Sequence, residues 1–121
     1  MTPEINVQFI LDSEGNPVFI EHDNVKHYRI EISLQNIPDD VYATNYQLHP
    51  SYISPFREET DKNKNFRFAT TTYGDYSLSA SLLGKSRNYL TSGIISKALE
   101  DRYVTTNNQK IKDAITEISD H

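Results

Sequence analysis

Two stretches of the chain alternate apolar and polar residues without a break. Tyr28, Ile30, Ile32 and Leu34 are separated by Arg29, Glu31 and Ser33, and Tyr76, Leu78, Ala80 and Leu82 by Ser77, Ser79 and Ser81. A period of two is that of a pleated strand with one buried face. Ile5, Val7, Phe9 and Leu11 alternate with Asn6, Gln8 and Ile10 in the same way. Asp12–Pro17 reads as a turn, with Val18, Phe19 and Ile20 returning as its hairpin partner. Asn36–Asp40 breaks the strand centred on Ile30. Val41 to His49 reads as a longer, more polar strand with Tyr42, Tyr46 and Leu48 on one face. Pro50 to Asn65, with two prolines and six charges, reads as a loop, and a strand follows at Phe66–Thr70.

After Gly84 the period changes. Ile94, Ile95, Ala98 and Leu99 fall at helical spacing, with Thr91 or Ser92 as the N-cap. Ile111, Ala114, Ile115 and Ile118 then repeat at i, i+3, i+4 and i+7, behind an asparagine cap. Lys110 and Lys112 near the start of that second helix, and Glu117 and Asp120 near its end, oppose the helix dipole. Packing or a partner must therefore hold it. The sum is a mainly β chain of six or seven short strands, an antiparallel β-sandwich with one or two C-terminal α-helices. The expected division is a sandwich over residues 1–86. Residues 87–121 are expected as a helical extension or the start of a linker to a further domain. An apolar helix face there would allow a weak homodimer.

With 121 residues and 36% apolar content, one domain with a lean core is expected. The chain has no apolar run long enough for a membrane span and no basic start of a secretory signal, so a cytoplasmic location is expected. The absence of cysteine excludes disulfides and thiolate chemistry. The formal charge of −5 is uneven: residues 1–60 carry three Lys/Arg against ten Asp/Glu, and residues 61–121 nine against seven. DNA would be repelled by the first half. Lys62, Lys64, Arg67, Lys85 and Arg87 are the material for any basic patch.

Enzyme signatures are missing. The histidines His22, His27, His49 and His121 lack metal-ligand spacing; His22 and His27, five apart beside a turn, would bind a metal only adventitiously. No glycine-rich phosphate loop and no Gly-x-Ser-x-Gly occurs. His49 and Ser51 can touch, because residues two apart on a strand share a side. They lack an orienting acid and an oxyanion site. Asp39-Asp40 and Glu58-Glu59 read as solvated loop carboxylates. The reading is therefore non-enzymatic, with no cofactor and no metal.

Two short segments carry the candidate chemistry, Leu48-His49-Pro50-Ser51-Tyr52 and Tyr73-Gly74-Asp75-Tyr76. His49 would fix the Ser51 hydroxyl, leaving it to meet a ligand carbonyl. Tyr52, Tyr73 and Tyr76 would wall a slot. Gly74 would permit close approach and an unusual dihedral, and the N–H groups around Gly74 and Asp75 would serve an amide oxygen. Such a slot suits a flat, mostly apolar group carrying one amide. A free ammonium also favours ring faces, so electrostatics leave both ligands open.

The run Tyr46 to Arg57, followed by Tyr73-Gly74-Asp75-Tyr76-Ser77-Leu78, resembles the YEATS domain family, in detail its prokaryotic branch. The family motifs read Leu-His-x-Ser-(Phe/Tyr), then a proline and a basic residue, and (Trp/Tyr)-Gly-(Glu/Asp)-(Phe/Tyr). The resemblance covers about residues 5–84. It implies an immunoglobulin-like sandwich whose aromatic slot holds an acylated lysine. His49 would orient Ser51, Ser51 would bind the acyl amide, Tyr52, Tyr73 and Tyr76 would form the walls, and the Gly74 backbone would bond the acyl carbonyl. Tyr73 stands where tryptophan is frequent and Thr72 where glycine is common, and Pro50 stiffens the entry loop. Loop aromatics expected near Asp23-Asn24-Val25 have no counterpart, leaving His27 or Tyr28 to replace them. The prokaryotic branch resembles modules of bacterial conflict and signalling systems, fused to membrane segments or effector domains such as TIR. The expected partner is an acylated or otherwise modified protein segment. Two alternatives stand beside it. One is a protein-interaction or scaffold domain of a defence or signalling protein. The other is a sensor for a nucleotide or small signal, with Arg57, Arg67 or Lys85 on phosphate.

Overall fold

Strand β3, Val25–Gln35, is the hub of the first sheet in the computed structural model, which describes residues 2–121. Its 11 residues are long enough to take β1 (Glu4–Phe9) and β2 (Phe19–His22) end to end on one edge and β6 (Phe68–Thr72) on the other. The second sheet has the order β5 (Phe56–Glu59), β4 (Val41–Gln47), β7 (Ser77–Gly84), β8 (Asn88–Ile94), and every pairing is antiparallel. Val7, Ile30, Ile32, Leu34 and Phe68 from the first sheet meet Val41, Tyr46, Leu78 and Leu82 from the second, all buried. Two helices follow, α1 (Ile95–Arg102) and α2 (Gln109–Ser119). The molecule is an immunoglobulin-like antiparallel sandwich with two C-terminal helices. No helix is long and apolar enough to cross a membrane among the described residues.

The strict alternations of β3 and β7 appear as read, and four departures have physical causes. First, Val18–Ile20 is not the hairpin partner of β1. The return of the excursion reaches only as far as Val18, which donates to Ile10 O beside the Leu11–Pro17 bridge, and β2 from Phe19 onward pairs with β3 instead. Arg29 stitches both sides of the excursion to β3, its carbonyl accepting from Ile10 N and its N–H donating to Val18 O. The true hairpin is β2–β3. Asp23 and Asn24 have φ of 52° and 64°, as a two-residue type I′ turn requires.

Second, Tyr42 does not share a face with Tyr46 and Leu48. The β4–β7 register shifts between Val41 and Ala43. One extra residue inverts the parity of everything before it, so Val41, Ala43, Thr44, Tyr46 and Leu48 are buried and Tyr42 is exposed. Third, the charged segment after Pro50 contains β5, whose Arg57, Glu58 and Glu59 suit an edge strand.

Fourth, the strands do not end at residue 86. Asn88–Ile94 forms β8 along β7, with Tyr89, Thr91 and Gly93 half-buried and Leu90, Ser92 and Ile94 outward. Helix α1 starts only at Ile95, and Ile94, rather than Thr91 or Ser92, is its N-cap.

Both helices belong to the core of the sandwich. Ile95, Leu99, Ile111, Ala114 and Ile118 are buried in one cluster with the strand residues, and α1 packs on β1. The apolar stripe of α2 is thus spent inside the chain, and the homodimer expected through it loses its surface. Packing and a cap overcome the adverse dipole. The Asn108 side chain accepts from Lys110 N and Ile111 N and donates to Gly15 O. At the far end of the sandwich Asp40, partly open to solvent as expected of a loop carboxylate, is also tied into the fold. It accepts from Ser86 Oγ at 2.8 Å, Ser86 N at 3.2 Å and Tyr89 Oη at 3.1 Å. The hydrogen bonds from Ser86 hold it below its ordinary pKa.

Candidate functional site

The antiparallel pairing of β4 with β7, and of β3 with β6, brings the exit of β4, the exit of β6 and the entry of β7 to one end of the sandwich. A cavity of about 540 Å³ lies elsewhere, on the outer face of the second sheet between Phe56 and Leu90, and is bordered by no acid, base or histidine. The cavity at the sandwich end measures about 710 Å³. His49, Ser51, Tyr52, Tyr73, Gly74, Asp75 and Tyr76 all border it, together with His27, Arg57, Thr72 and His121.

The His49–Ser51 pair is formed. Ser51 N–H donates to His49 Nδ1 at 3.1 Å, and Ser51 Oγ lies 2.8 Å from the same nitrogen. A nitrogen that accepts from a main-chain N–H carries no proton, so the hydroxyl must donate to it as well. This reverses the expected polarity at Ser51. Its proton is spent on His49, and Oγ turns lone pairs outward, which suits an N–H rather than a carbonyl. Among the described residues no carboxylate bonds to His49.

The three tyrosines divide. Tyr76 packs edge-on against both His49 and Tyr52, with centroids 5.8 and 5.7 Å apart. Its hydroxyl donates to Tyr52 Oη at 3.1 Å, and Tyr52 donates to Thr71 O at 2.6 Å. Burial raises both phenols above their ordinary pKa, and the hydrogen bond and charge of Tyr52 add to it at Tyr76. Tyr73 stands half-exposed and pairs instead with His27, 5.2 Å away. Of the two candidates for the missing loop aromatic, His27 therefore borders the cavity. Tyr28 is buried, and its hydroxyl donates to Glu117 at 2.6 Å.

The segment Tyr73–Tyr76 is anchored through its acceptors. Thr72 Oγ1 donates to Gly74 O at 2.7 Å, and Ile95 N donates to Tyr76 O at 3.0 Å. The Asp75 carboxylate accepts from Ser96 N at 2.9 Å and Ser96 Oγ at 2.6 Å, capping α1, whose own N-cap residue supplies no side-chain bond. The Asp75 side chain is therefore committed to the helix. The four N–H groups of Tyr73–Tyr76 donate to nothing among the described residues. Gly74 does not have the unusual dihedral anticipated for it; its φ lies outside the left-handed region. Its lack of a side chain makes room for His121, whose Cβ would stand 3.2 Å from a Cβ at position 74.

The charged surroundings are spoken for. Arg57 bonds Glu59 at 2.9 Å and lies over the Phe68 ring, while Arg67 bonds Glu31 at 3.1 Å. Neither Arg67 nor Lys85 borders the cavity. His22 sits 6.2 Å from His27, ring to ring, and no group of three or more His, Asp or Glu among the described residues is disposed to hold a metal.

No protein-family model matches this chain, and no curated protein matches it. Among solved structures the chain is similar to the Yaf9 YEATS domain recognizing an H3K122suc peptide. The identity is 14%, over 77% of this chain and 78% of that chain, with a TM-score of 0.48.

Proposed function

We propose that this domain recognises a modified protein side chain, an N-acylated lysine, in the cavity between His49–Tyr52 and Tyr73–Tyr76, without catalysing a reaction on it. One observation carries the reading: the cavity offers an acceptor and donors at separate places. Ser51 Oγ presents lone pairs, and the Tyr73–Tyr76 segment presents unpaired N–H groups. A secondary amide has one N–H and one carbonyl and satisfies both. A free ammonium has donors only and would face the N–H row unfavourably; a carboxylate has acceptors only and would face Ser51.

The walls agree with this. Tyr52 and Tyr76 are neutral phenols, and burial only raises their pKa further, so they offer uncharged ring surface to a flat amide. The two motifs around His49 and Gly74 support kinship with the prokaryotic branch of the YEATS family, and with it a signalling or defence role and a modified protein segment as partner. A phosphate-bearing signal is disfavoured. Arg57 is the one basic residue of the three weighed for that role that borders the cavity, and Glu59 and Phe68 already hold it.

The test is a titration of isotope-labelled protein, followed by NMR, with matched peptides carrying free, acetylated and crotonylated lysine. Shifts at His49–Tyr52 and Tyr73–Tyr76 with the acylated peptides alone are expected. Silence of both segments at millimolar acylated peptide would overturn the reading.

A further inference from the structure

We infer that Thr72 and Ser96 are positioning residues for the Tyr73–Tyr76 segment: a two-point clamp that fixes which way its Gly74–Asp75 peptide unit faces. The inference deepens the reading of the cavity given above and rests on it for the binding consequence only.

A trans peptide unit is planar, with its C=O and N–H on opposite sides. No peptide bond in the described chain is cis. When Thr72 Oγ1 holds the carbonyl of Gly74, the N–H of Asp75 in the same plane is turned away from Thr72. One residue further, the Asp75 carboxylate grips Ser96 through two hydrogen bonds, and Tyr76 O is held by Ile95 N. The carbonyls of Gly74 and Tyr76 and the Asp75 carboxylate thus face the protein, and the Asp75 N–H is what the Gly74–Asp75 peptide leaves for the cavity.

Both clamping residues are themselves buried, Thr72 at 3% exposure and Ser96 at 5%; Ser96 does not border the cavity and acts through the turn, while Thr72 borders it with its hydroxyl committed to Gly74 O. Both sit on rigid elements. Thr72 is the last residue of β6, paired with Tyr28, and Ser96 lies in the first turn of α1 between the fully buried Ile95 and Leu99. The clamp explains why a hydroxyl stands immediately before this turn. A side chain without one would leave the Gly74–Asp75 peptide free to rotate.

The experiment compares Thr72→Val, which keeps the shape and removes the hydroxyl, with Thr72→Ser, which keeps the hydroxyl, and adds Ser96→Ala. Amide shifts and hydrogen exchange of Tyr73–Tyr76 are recorded in the ligand-free proteins, and affinity for the acetyl-lysine peptide is measured alongside. The expected result is displaced shifts and faster exchange at Gly74–Tyr76 in Thr72→Val and Ser96→Ala, with wild-type behaviour restored in Thr72→Ser. Binding should weaken about tenfold in the first two, as loss of one well-placed hydrogen bond implies. Unchanged Tyr73–Tyr76 signals in folded Thr72→Val, or a Thr72→Ser protein as perturbed as Thr72→Val, would overturn the clamp. If wild type itself fails to bind any acylated peptide, the reading of the cavity falls, while the ligand-free signals still decide the clamp.

Discussion

The carboxylate of Asp75 closes on Ser96, 2.9 Å to its main-chain nitrogen and 2.6 Å to its hydroxyl, and so joins the cavity's turn to the first turn of α1. A segment expected as an appendage to the sandwich is in fact what holds the site's second motif in place. Asp75 gains an orphan helix N–H and loses its freedom to serve a ligand.

The helices should therefore behave as part of the fold. Leu99 is fully buried, and Leu99→Ala should cost about 2–5 kcal/mol of stability, as deletion of a core leucine does. Urea denaturation measures this. A variant as stable as wild type would mean that α1 contributes nothing to the core.

Ser51 is exposed, and its substitution should leave the fold alone. Ser51→Ala should change stability by less than about 0.5 kcal/mol. It should also weaken acetyl-lysine peptide binding about tenfold, the worth of one hydrogen bond. Calorimetric titration and thermal melts on the same sample separate the two effects.

Burial raises the phenols of Tyr28, Tyr46 and Tyr76 well above their ordinary value of 10.0. At Tyr28 the hydrogen bond to Glu117 adds to that rise. The folded chain holds these protons after the unfolded chain would release them. Their contribution is complete below pH 10 and is lost as pH rises beyond it. Stability should fall steeply in alkali, with the tyrosinate absorbance of these three side chains appearing together with unfolding. In Tyr46→Phe the slope of stability against alkaline pH should be shallower. If Tyr46→Phe removed tyrosinate absorbance that wild type develops before unfolding, the burial account would be contradicted.

Asp40 provides a control at the opposite end of the sandwich. Asp40→Asn should lower the melting temperature by weakening the ties to Ser86 and Tyr89, without altering peptide affinity. The carboxylate's pKa is lowered on folding, so its contribution is present above the ordinary value of 3.8 and is lost as pH falls through its folded value. The melting temperatures of wild type and variant should converge in acid.

Much of this molecule was legible where burial is one-sided. In β3 and β7 every second residue faces the core, and the pattern states it directly. The His49–Ser51 bond was anticipated for the wrong reason: β4 ends at Gln47, and the contact is made within a turn closed by the Tyr52 N–H on His49 O, not along a strand. Strand β8 was hidden because its exposed edge carries Leu90 and Ile94 while Gly93 and Thr91 turn inward, which inverts the usual signal. Here Gly93 lies against Ile5, its missing Cβ only 3.6 Å from that residue's side chain. The face of Tyr42 was lost to a single inserted residue that no local composition announces. The pairing of Tyr73 with His27 and the commitment of Asp75 to Ser96 depend on which segments meet in space, and periodicity is silent on that. The direction of the Ser51 proton needed the position of one main-chain nitrogen.

The amide of Phe9 finds its hydrogen-bond partner in Tyr103, 94 residues later, and the carbonyl of Gly15 finds Asn108, 93 residues later. A chain leaving the ribosome must keep its first strand unfinished until those residues emerge. Closures over such distances slow folding and leave strand edges open to other chains in the interval. Tyr103 and Asn108 are thus late closures: the first strand and the turn after it gain these partners only once the C-terminal segment has been made.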